Sequence, residues 1–372
     1  MRGIYVHIPF CLQKCPYCDF YSVRFDEGTA DAYADALVRN FKAYSGVKAD
    51  TVYFGGGTPS CLPESTLGRI VSGLKESFDI AGNAEITIEA NPCTVTPQKL
   101  RAYRDMGIDR ISFGVQSADD NELRGLGRLH DADTAKRAIN AAHDAGFENI
   151  SADLMIGVAG QTKDSLQRSI DTITALPVSH ISAYMLKIEP GTPFDNEHTR
   201  AATADDELMR GMYLSLVKSL AERGFAQYEI SNFAKAGFES RHNLVYWTGG
   251  EYIGFGPAAH SLYKGRRFYV PGDLEKYISS PTQPELDEDE PYSEREEYIM
   301  LALRLTSGLD AGKLISLYGQ QGADRVTALA RRYEKAGLCH VTPERISLTP
   351  EGFLVSNSII VELMEAIEQG KR

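Results

Sequence analysis

Short apolar runs alternate with longer amphipathic stretches through the first half of the chain. The runs read as continuously apolar, so they predict parallel strands that are buried on both faces of a sheet. The predicted strands lie at 4–8, 51–54, 85–90, 110–115, 149–157 and 180–188. The stretches between and after them have apolar residues at helical spacing and predict helices at 31–44, 67–78, 96–106, 134–145, 165–176 and 205–223.

Six strands alternating with helices indicate an α/β fold whose sheet forms a partial (β/α)6 barrel of the TIM type. In such sheets the loops at the carboxyl ends of the strands carry the chemistry. We therefore expect functional residues directly after the predicted strands. Two helix starts have local signals: Thr96 followed by Pro97, and a capping box of Thr203 with Asp206.

The second half of the chain has a different pattern. Residues 227–277 are rich in Gly, Tyr and Phe, and we expect strands and loops there that close the barrel. Several helices and a short hairpin after residue 293 indicate a small winged-helix-like α+β domain. The expected divisions are the partial barrel at 1–200, the barrel-closing extension at 201–280, an acidic linker at 281–292 and the C-terminal domain at 293–372.

The charge of the chain excludes several kinds of partner. A formal net charge of -12 opposes binding to nucleic acid, since that binding depends on Lys and Arg that neutralise phosphates. The winged-helix-like domain is therefore expected to pack or dock rather than to bind DNA. The sequence contains no run of 18 apolar residues and no signal-peptide pattern. We expect a cytoplasmic protein that meets a membrane only through a partner.

Three of the six cysteines fall within eight residues on the loop after the first strand, and they are Cys11, Cys15 and Cys18. The scattered ones are Cys61, Cys93 and Cys339. In a reducing compartment this distribution indicates a metal or cluster site rather than disulfides. Three thiolates would leave one iron of a [4Fe-4S] cluster open to another ligand. A structural zinc site completed by His7 is the alternative, although no second cysteine pair is present.

A set of short motifs accompanies this CxxxCxxC pattern over about two thirds of the chain. They are YVHIPFC at 5–11, VYFGGGTPS at 52–60, EANP at 89–92, RISFGVQS at 110–117, GRLH at 127–130, DLMIG at 153–157, IEPGTPF at 188–194 and HNLVYW at 242–247. Together they resemble the radical S-adenosylmethionine (SAM) superfamily. Within it, they are similar to the group that contains oxygen-independent coproporphyrinogen III dehydrogenase (HemN) and the HemW heme chaperones.

The resemblance implies that the three clustered cysteines hold a [4Fe-4S] cluster and that SAM binds its open iron. In that superfamily, reductive cleavage of SAM yields a 5′-deoxyadenosyl radical. The resemblance also implies SAM contacts from Tyr5 and Tyr17, and a close backbone approach to SAM at Gly56, Gly57 and Thr58. A phosphate-binding loop is excluded for these glycines because GxxxxGK is absent.

Three polar residues, Glu89, Gln116 and Asp153, each end a predicted strand and are expected to face one barrel mouth. The ribose hydroxyls and the amino group of SAM are natural partners for them, although a strand-end carboxylate also serves as a helix cap or ion pair. Arg128, in GRLH, is expected to pair with the SAM carboxylate through two hydrogen bonds. A surface salt bridge is the alternative for Arg128.

His242 begins HNLVYW, which resembles the HNxxYW motif of HemW-type proteins, where the histidine is implicated in heme binding. A histidine that is hydrogen-bonded inside an aromatic cluster is the alternative. Tyr246 and Trp247 have flat surfaces that suit either a porphyrin or the protein core. His260 is open to the same two interpretations, as a pocket residue or a packing residue.

The chain departs from the dehydrogenase branch at two points. That branch carries a further cysteine two residues after the third, where this chain has Phe20, and it has an N-terminal extension that is missing ahead of the first strand. Smaller departures are Val158-Ala159 in place of Leu-Pro and Ala258 in place of glycine. These differences, with HNLVYW present, favour the HemW type.

We therefore expect a heme chaperone that binds SAM and a [4Fe-4S] cluster, carries heme as its cargo, and delivers it to an acceptor protein. Cleavage of SAM and assembly into a homodimer are left open. A radical SAM enzyme that oxidatively decarboxylates coproporphyrinogen III is the first alternative. A winged-helix interaction protein with a structural zinc is the second.

Overall fold

The computed structural model describes residues 1–288 and 292–368. Parts of the predicted acidic linker (289–291) and of the C-terminal domain (369–372) therefore lie outside the described residues. The strands are β1 (Arg2–Ile8), β2 (Phe10–Cys11), β3 (Val23–Arg24), β4 (Lys48–Gly56), β5 (Asp79–Ala90), β6 (Arg110–Gln116), β7 (Asn149–Ile156), β8 (His180–Met185), β9 (Ala226–Gln227), β10 (Asn232–Ala234), β11 (Glu251–Phe255), β12 (His260–Tyr263), β13 (Arg266–Tyr269), β14 (Leu286–Asp287), β15 (Leu309–Asp310), β16 (Cys339–Val341) and β17 (Arg345–Leu348).

The helices occur between and after these strands. They are α1 (Glu27–Phe41), α2 (Glu64–Ser77), α3 (Pro97–Asp105), α4 (Asp120–Gly125), α5 (Ala132–Asp144), α6 (Lys163–Thr174), α7 (Glu197–Ala202), α8 (Asp206–Glu222), α9 (Arg241–Trp247), α10 (Leu274–Ser279), α11 (Glu294–Ala302), α12 (Ala311–Lys335), α13 (Pro350–Leu354) and α14 (Ser356–Glu368). Among these described helices, none combines the length and the hydrophobicity needed to cross a bilayer.

A 12-stranded sheet organises the first 288 residues. The six predicted strands form its centre in the order β1-β4-β5-β6-β7-β8, and all of these neighbours pair in parallel. The segment after residue 225 extends both edges, because β11 pairs in parallel with β1 and β10 pairs antiparallel with β8. The prediction of a partial parallel barrel is confirmed. It places the carboxyl ends of the six central strands around one mouth.

Both faces of the central strands are buried, as predicted, but the two faces are not equally apolar. Outward side chains such as Ile4, Val6 and Ile8 are fully buried under the helices. Inward side chains are mostly polar or aromatic: the Ser151 hydroxyl, for example, lies 2.8 Å from His180 Nδ1. Tyrosine, serine and glycine at alternate positions do not interrupt an apolar run strongly enough to reveal a period of two. The barrel therefore encloses a polar interior.

Local capping explains where two helices begin. Thr96 caps α3 as predicted, because its side chain accepts a hydrogen bond from the Lys99 amide at 3.2 Å. The predicted capping box of Thr203 with Asp206 was wrong. Asp205 caps α8 by accepting from the Leu208 amide at 2.8 Å, while Thr203 ends the preceding helix α7. A carboxylate at the position next to the helix takes the role that the more distant hydroxyl was expected to have.

The C-terminal domain consists of α11 to α14 and a three-stranded sheet in the order β15-β17-β16. The predicted hairpin thus gains a third strand, β15. The range α12 covers two helices that meet at Gly319, where the backbone leaves the helical region with a φ of 73°. Arg210 of α8 and Glu351 of α13 form an ion pair at 3.0 Å between this domain and the barrel.

Ala258, which stands where glycine was expected, has a φ of 64°. A side chain in this left-handed region costs roughly 1–2 kcal/mol, whereas glycine costs roughly 0.5–1 kcal/mol in chain entropy. We expect Ala258→Gly to raise the free energy of unfolding by about 0.5–1 kcal/mol. The measurement is the apparent unfolding midpoint under anaerobic conditions at one fixed scan rate.

Ala259→Gly is the matched control for this change. Ala259 is fully buried and is not among the residues with positive φ, so its loss of a methyl group and its added chain entropy should both lower the midpoint. Equal destabilisation by the two substitutions would show that Ala258 is not strained.

Candidate functional site

The segment 9–25, here called the cysteine loop, follows the carboxyl end of β1 and carries Cys11, Cys15 and Cys18. Its two ends are hydrogen-bonded to each other. After Pro9, the amide of Val23 donates to the Pro9 carbonyl at 2.7 Å, and the amide of Phe25 donates to the Cys11 carbonyl at 2.8 Å. The three thiols of the loop are free, with Cys11 buried and the other two half-buried. The strand end thus presents three free thiols at the barrel mouth, and their role as cluster ligands stays a prediction.

Gly56 and Gly57 pack against this loop at a distance that leaves no room for a side chain. A Cβ atom on Gly57 would lie 2.7 Å from the Phe10 carbonyl oxygen, and one on Gly56 would lie 2.6 Å from the His7 ring. Gly56 also has a φ of 110°. The neighbouring Thr58 hydroxyl lies 3.5 Å from Cys11 Sγ. The glycines are thus required for packing of the chain itself, and their approach to SAM stays a prediction.

Arg128 connects the cysteine loop to the mouth of the barrel. Its Nη1 lies 3.4 Å from both Cys15 Sγ and the Tyr17 hydroxyl, and its Nη2 donates to the Gly114 carbonyl at 2.6 Å. The Nε atom of Arg128 is buried and has no hydrogen-bond partner among the described residues. Buried donors in native proteins are nearly always satisfied, so this unpaired one beside the Cys15 thiol is a candidate to bind an acceptor group.

Glu89 and Asp153 lie on the inner face of the barrel near its mouth. Glu89 accepts from the Tyr53 hydroxyl at 2.7 Å and from the Gly56 amide at 3.2 Å, and burial raises its pKa to about 7. Asp153 accepts from the Ser112 hydroxyl at 3.1 Å, and burial also raises its pKa. A cationic ligand would favour the ionised form of both carboxyl groups.

Gln116 ends β6 in a strained backbone conformation, with a φ of 72°. The next residue, Ser117, donates to Glu122 Oε2 at 2.6 Å, and Glu122 also accepts from Gln161 at 3.0 Å and from Ser165 at 2.5 Å. Strain of this kind persists only where the surroundings fix it. No sequence pattern predicts this buried network, because its members are up to 48 residues apart.

Tyr5 and Tyr17 occupy different depths. Tyr17 lies at the mouth, beside Arg128, with its ring centroid 6.0 Å from that of Phe194. The Tyr5 hydroxyl lies 3.0 Å from Nδ1 of His7, whose Nε2 lies 2.9 Å from the Tyr21 carbonyl. Because the Tyr21 carbonyl can only accept a hydrogen bond, the proton of the neutral His7 ring is on Nε2. Nδ1 therefore accepts a hydrogen bond from the Tyr5 hydroxyl. The SAM contact predicted for Tyr5 stays a prediction.

His7 is poorly placed to complete a zinc site, because both of its ring nitrogens have partners. Among the residues that the structure describes, no three His, Cys, Asp or Glu side chains converge around a position for one metal ion. A [4Fe-4S] cluster does not need such convergence, since each cysteine binds a different iron atom.

His242 lies at the opposite end of the barrel, near the start of β1 and β4. It is 1% exposed, and its nitrogens lie 2.8 Å from the Thr51 hydroxyl and 2.8 Å from the Tyr246 hydroxyl. Its ring stacks on Tyr53 with a centroid separation of 5.1 Å. Burial lowers the pKa of His242 to about 3. This arrangement favours a structural role, and heme ligation by His242 stays a prediction.

Two other aromatic candidates lie away from the cysteine loop. Trp247 lines a cavity of about 150 Å³ between α9 and α11, with Tyr298 and Leu301 in the opposite wall. This volume is below the roughly 300 Å³ of an ordinary small-molecule site. His260 is the exposed first residue of β12 and lies 2.8 Å from Glu288.

Comparisons with known proteins agree with this arrangement. The chain matches the Radical SAM superfamily over residues 5–173 and the HemN C-terminal domain over residues 291–355. It superposes on coproporphyrinogen III oxidase (HemN) from Escherichia coli with a TM-score of 0.82 and 21% identity, covering 98% of this chain and 89% of that one. The fold and the site define a radical SAM protein.

Named relatives with similar sequences show which radical SAM family the chain belongs to. The chain is 36% identical to the heme chaperone HemW of Bacillus subtilis, covering 96% of this chain and 98% of that protein. It is 38% identical to the heme chaperone HemW of Escherichia coli, covering 69% of each. The chain belongs to the HemW family of radical SAM proteins.

Proposed function

We propose that this protein is a cytoplasmic heme chaperone that binds heme as cargo and passes it to an acceptor protein. The observation that carries the proposal is the 36% identity to a HemW heme chaperone across nearly the full length of both chains. Phe20, in place of the further cysteine of the dehydrogenase branch, supports the same assignment.

The cofactors of this function would be a [4Fe-4S] cluster and SAM. Cys11, Cys15 and Cys18 would hold the cluster, which supplies an electron-transfer centre and one iron for SAM. The unpaired Nε of Arg128 supports a carboxylate ligand next to these thiols. Glu89 and Asp153 would attract the cationic groups of SAM, and Gln116 would be held toward them by the Glu122 network.

The side chains of the mouth would position and shield the ligand. Tyr17 and Phe194 form an apolar wall beside Arg128, and that wall would exclude water from the charged groups. Arg128 would remain fixed during binding because its Nη2 is already bonded to the Gly114 carbonyl at 2.6 Å. Such a site needs little rearrangement to accept a ligand.

One experiment separates the chaperone from the dehydrogenase. The cluster-loaded protein would be titrated anaerobically with heme, and a second sample would receive coproporphyrinogen III, SAM and a reductant. We expect stoichiometric heme binding, transfer of the bound heme to an acceptor protein, and no protoporphyrinogen. Formation of protoporphyrinogen, or absence of heme binding, would contradict the proposal.

A further inference from the structure

A group of exposed apolar side chains lies on and beside the cysteine loop. Ten large hydrophobic residues are exposed among those the structure describes, and three of them lie on two adjoining loops at the barrel mouth. These three, here called the apolar rim, are Leu12 (47% exposed), Phe20 (69%) and Leu129 (52%). Phe20 has the highest exposure of the ten.

Contacts between the loops place the apolar rim on one surface. The Gln13 side chain lies 3.4 Å from the Gly127 carbonyl, and Arg128 lies 3.4 Å from Cys15, so Leu12 and Leu129 are on touching segments. The Lys14 ammonium group donates to the Phe20 carbonyl at 2.9 Å and brings the two ends of the cysteine loop together. Single exposed apolar residues are common, but a group of them marks a binding surface.

Two exposed cations accompany the apolar rim and can pair with an anionic group of a ligand. Lys14 and Arg24 are both exposed, and Arg24 is the strand partner of Cys11. The acids nearest to them in sequence are Asp19, Asp26 and Glu27, and Asp26 is already bonded to the amide and hydroxyl of Thr29. Heme is a flat apolar molecule with two carboxylate groups, so an apolar rim with two cations complements it.

The size of the apolar rim disfavours a protein partner. A stable protein interface buries about 1,000 Å² or more, and three side chains supply only a fraction of that area. A second copy of this chain would meet the same limit. A small planar ligand needs only a few apolar contacts and one or two charges to fix its orientation.

The HNLVYW segment offers no comparable surface. His242 is buried, its nitrogens are both paired, and it lies at the other end of the barrel. The cavity beside Trp247 is about 150 Å³, too small for a porphyrin.

We propose that heme docks on the apolar rim, with its carboxylates toward Lys14 and Arg24. This inference rests on the proposed chaperone function and gives the cargo a location beside the cluster. The side chain of Phe20 then supplies an apolar contact to the cargo at the position where the dehydrogenase branch has a cysteine.

The test is heme titration of cluster-loaded protein, followed by Soret difference spectra, for the triple variant Leu12→Ser, Phe20→Ser and Leu129→Ser. We expect its Kd for heme to rise at least about tenfold, because three apolar contacts to the ligand are lost. Ile315→Ser and Val361→Ser, which alter residues 41% and 53% exposed on the C-terminal domain, are the controls and should bind as the wild type.

Two further arms make the outcome decisive. Lys14→Gln with Arg24→Gln should weaken heme binding but leave binding of the heme dimethyl ester unchanged, since the ester has no carboxylates. His242→Asn should retain heme binding. An unchanged Kd for heme in the triple variant would overturn the inference. So would a triple variant that binds heme normally but no longer self-associates, because the apolar rim would then contact a second copy of the chain. Wild-type protein that binds no heme would instead refute the chaperone function itself.

Discussion

Replacement of any one of Cys11, Cys15 and Cys18 by serine is expected to remove most of the iron and sulfide from anaerobically reconstituted protein. A serine hydroxyl is a far weaker ligand for iron than a thiolate, and the loop has no spare thiol in its sequence. We expect iron content to fall at least about tenfold, with loss of the cluster absorbance. Metal analysis and electron paramagnetic resonance of the reduced protein provide the measurement.

The chain carries its own controls for this prediction. Cys61→Ser and Cys93→Ser alter thiols close to the loop, and Cys339→Ser alters a buried thiol in the C-terminal domain. The Cys61 thiol donates to the Phe10 carbonyl at 3.5 Å, and burial raises its pKa to about 12, so it is not poised to bind iron. Full cluster content in a Cys15→Ser variant, or its loss in Cys61→Ser, would mean that the ligand set is different.

Arg128→Met is expected to weaken SAM binding by about 30- to 1,000-fold while leaving the cluster content near that of the wild type. The estimate follows from roughly 2–4 kcal/mol for a buried, charge-assisted pair of hydrogen bonds whose acceptor would otherwise be left unpaired. Arg128→Lys should recover only part of the affinity, because an ammonium group cannot form two parallel bonds to one carboxylate. Equilibrium dialysis with labelled SAM measures the affinity directly.

Arg124→Met is the matched control for this change. Arg124 lies four residues earlier on α4, is exposed, and bonds only to Asn121 within the described structure. We expect its SAM affinity to equal that of the wild type. If Arg128→Met binds SAM normally, then the unpaired Nε is satisfied by something other than the SAM carboxylate.

The sequence predicted the parts of the fold that depend on local periodicity. All six central strands and the six long helices α1, α2, α3, α5, α6 and α8 were predicted, because each is a continuous segment with one dominant pattern. The six-residue helices α4 and α7 were missed. The polar interior was missed because alternate Tyr, Ser and Gly residues resemble apolar ones in a short window. The helix α9 that contains HNLVYW was also missed, since its seven residues are too few to show helical spacing.

The candidate site was predictable where one segment carries its own chemistry. The cysteines and the glycines at the carboxyl end of β4 fall into this group. The Glu122 network and the enclosure of His242 could not be predicted, because both depend on contacts between segments distant in sequence. Glu85, for example, accepts from the His242 amide at 3.0 Å across 157 residues. Only tertiary packing brings such groups together.

Strand β1 has a further consequence for how the protein is made. It carries the cysteine loop at its end, and it pairs with β4 on one side and with β11, at residues 251–255, on the other. One edge of β1 therefore stays without its partner until most of the chain has left the ribosome. An unpaired edge strand is prone to association with other chains. The strand that precedes the cysteine loop thus gains its second neighbour late in synthesis. A chain that ends before β11 would expose that edge of β1.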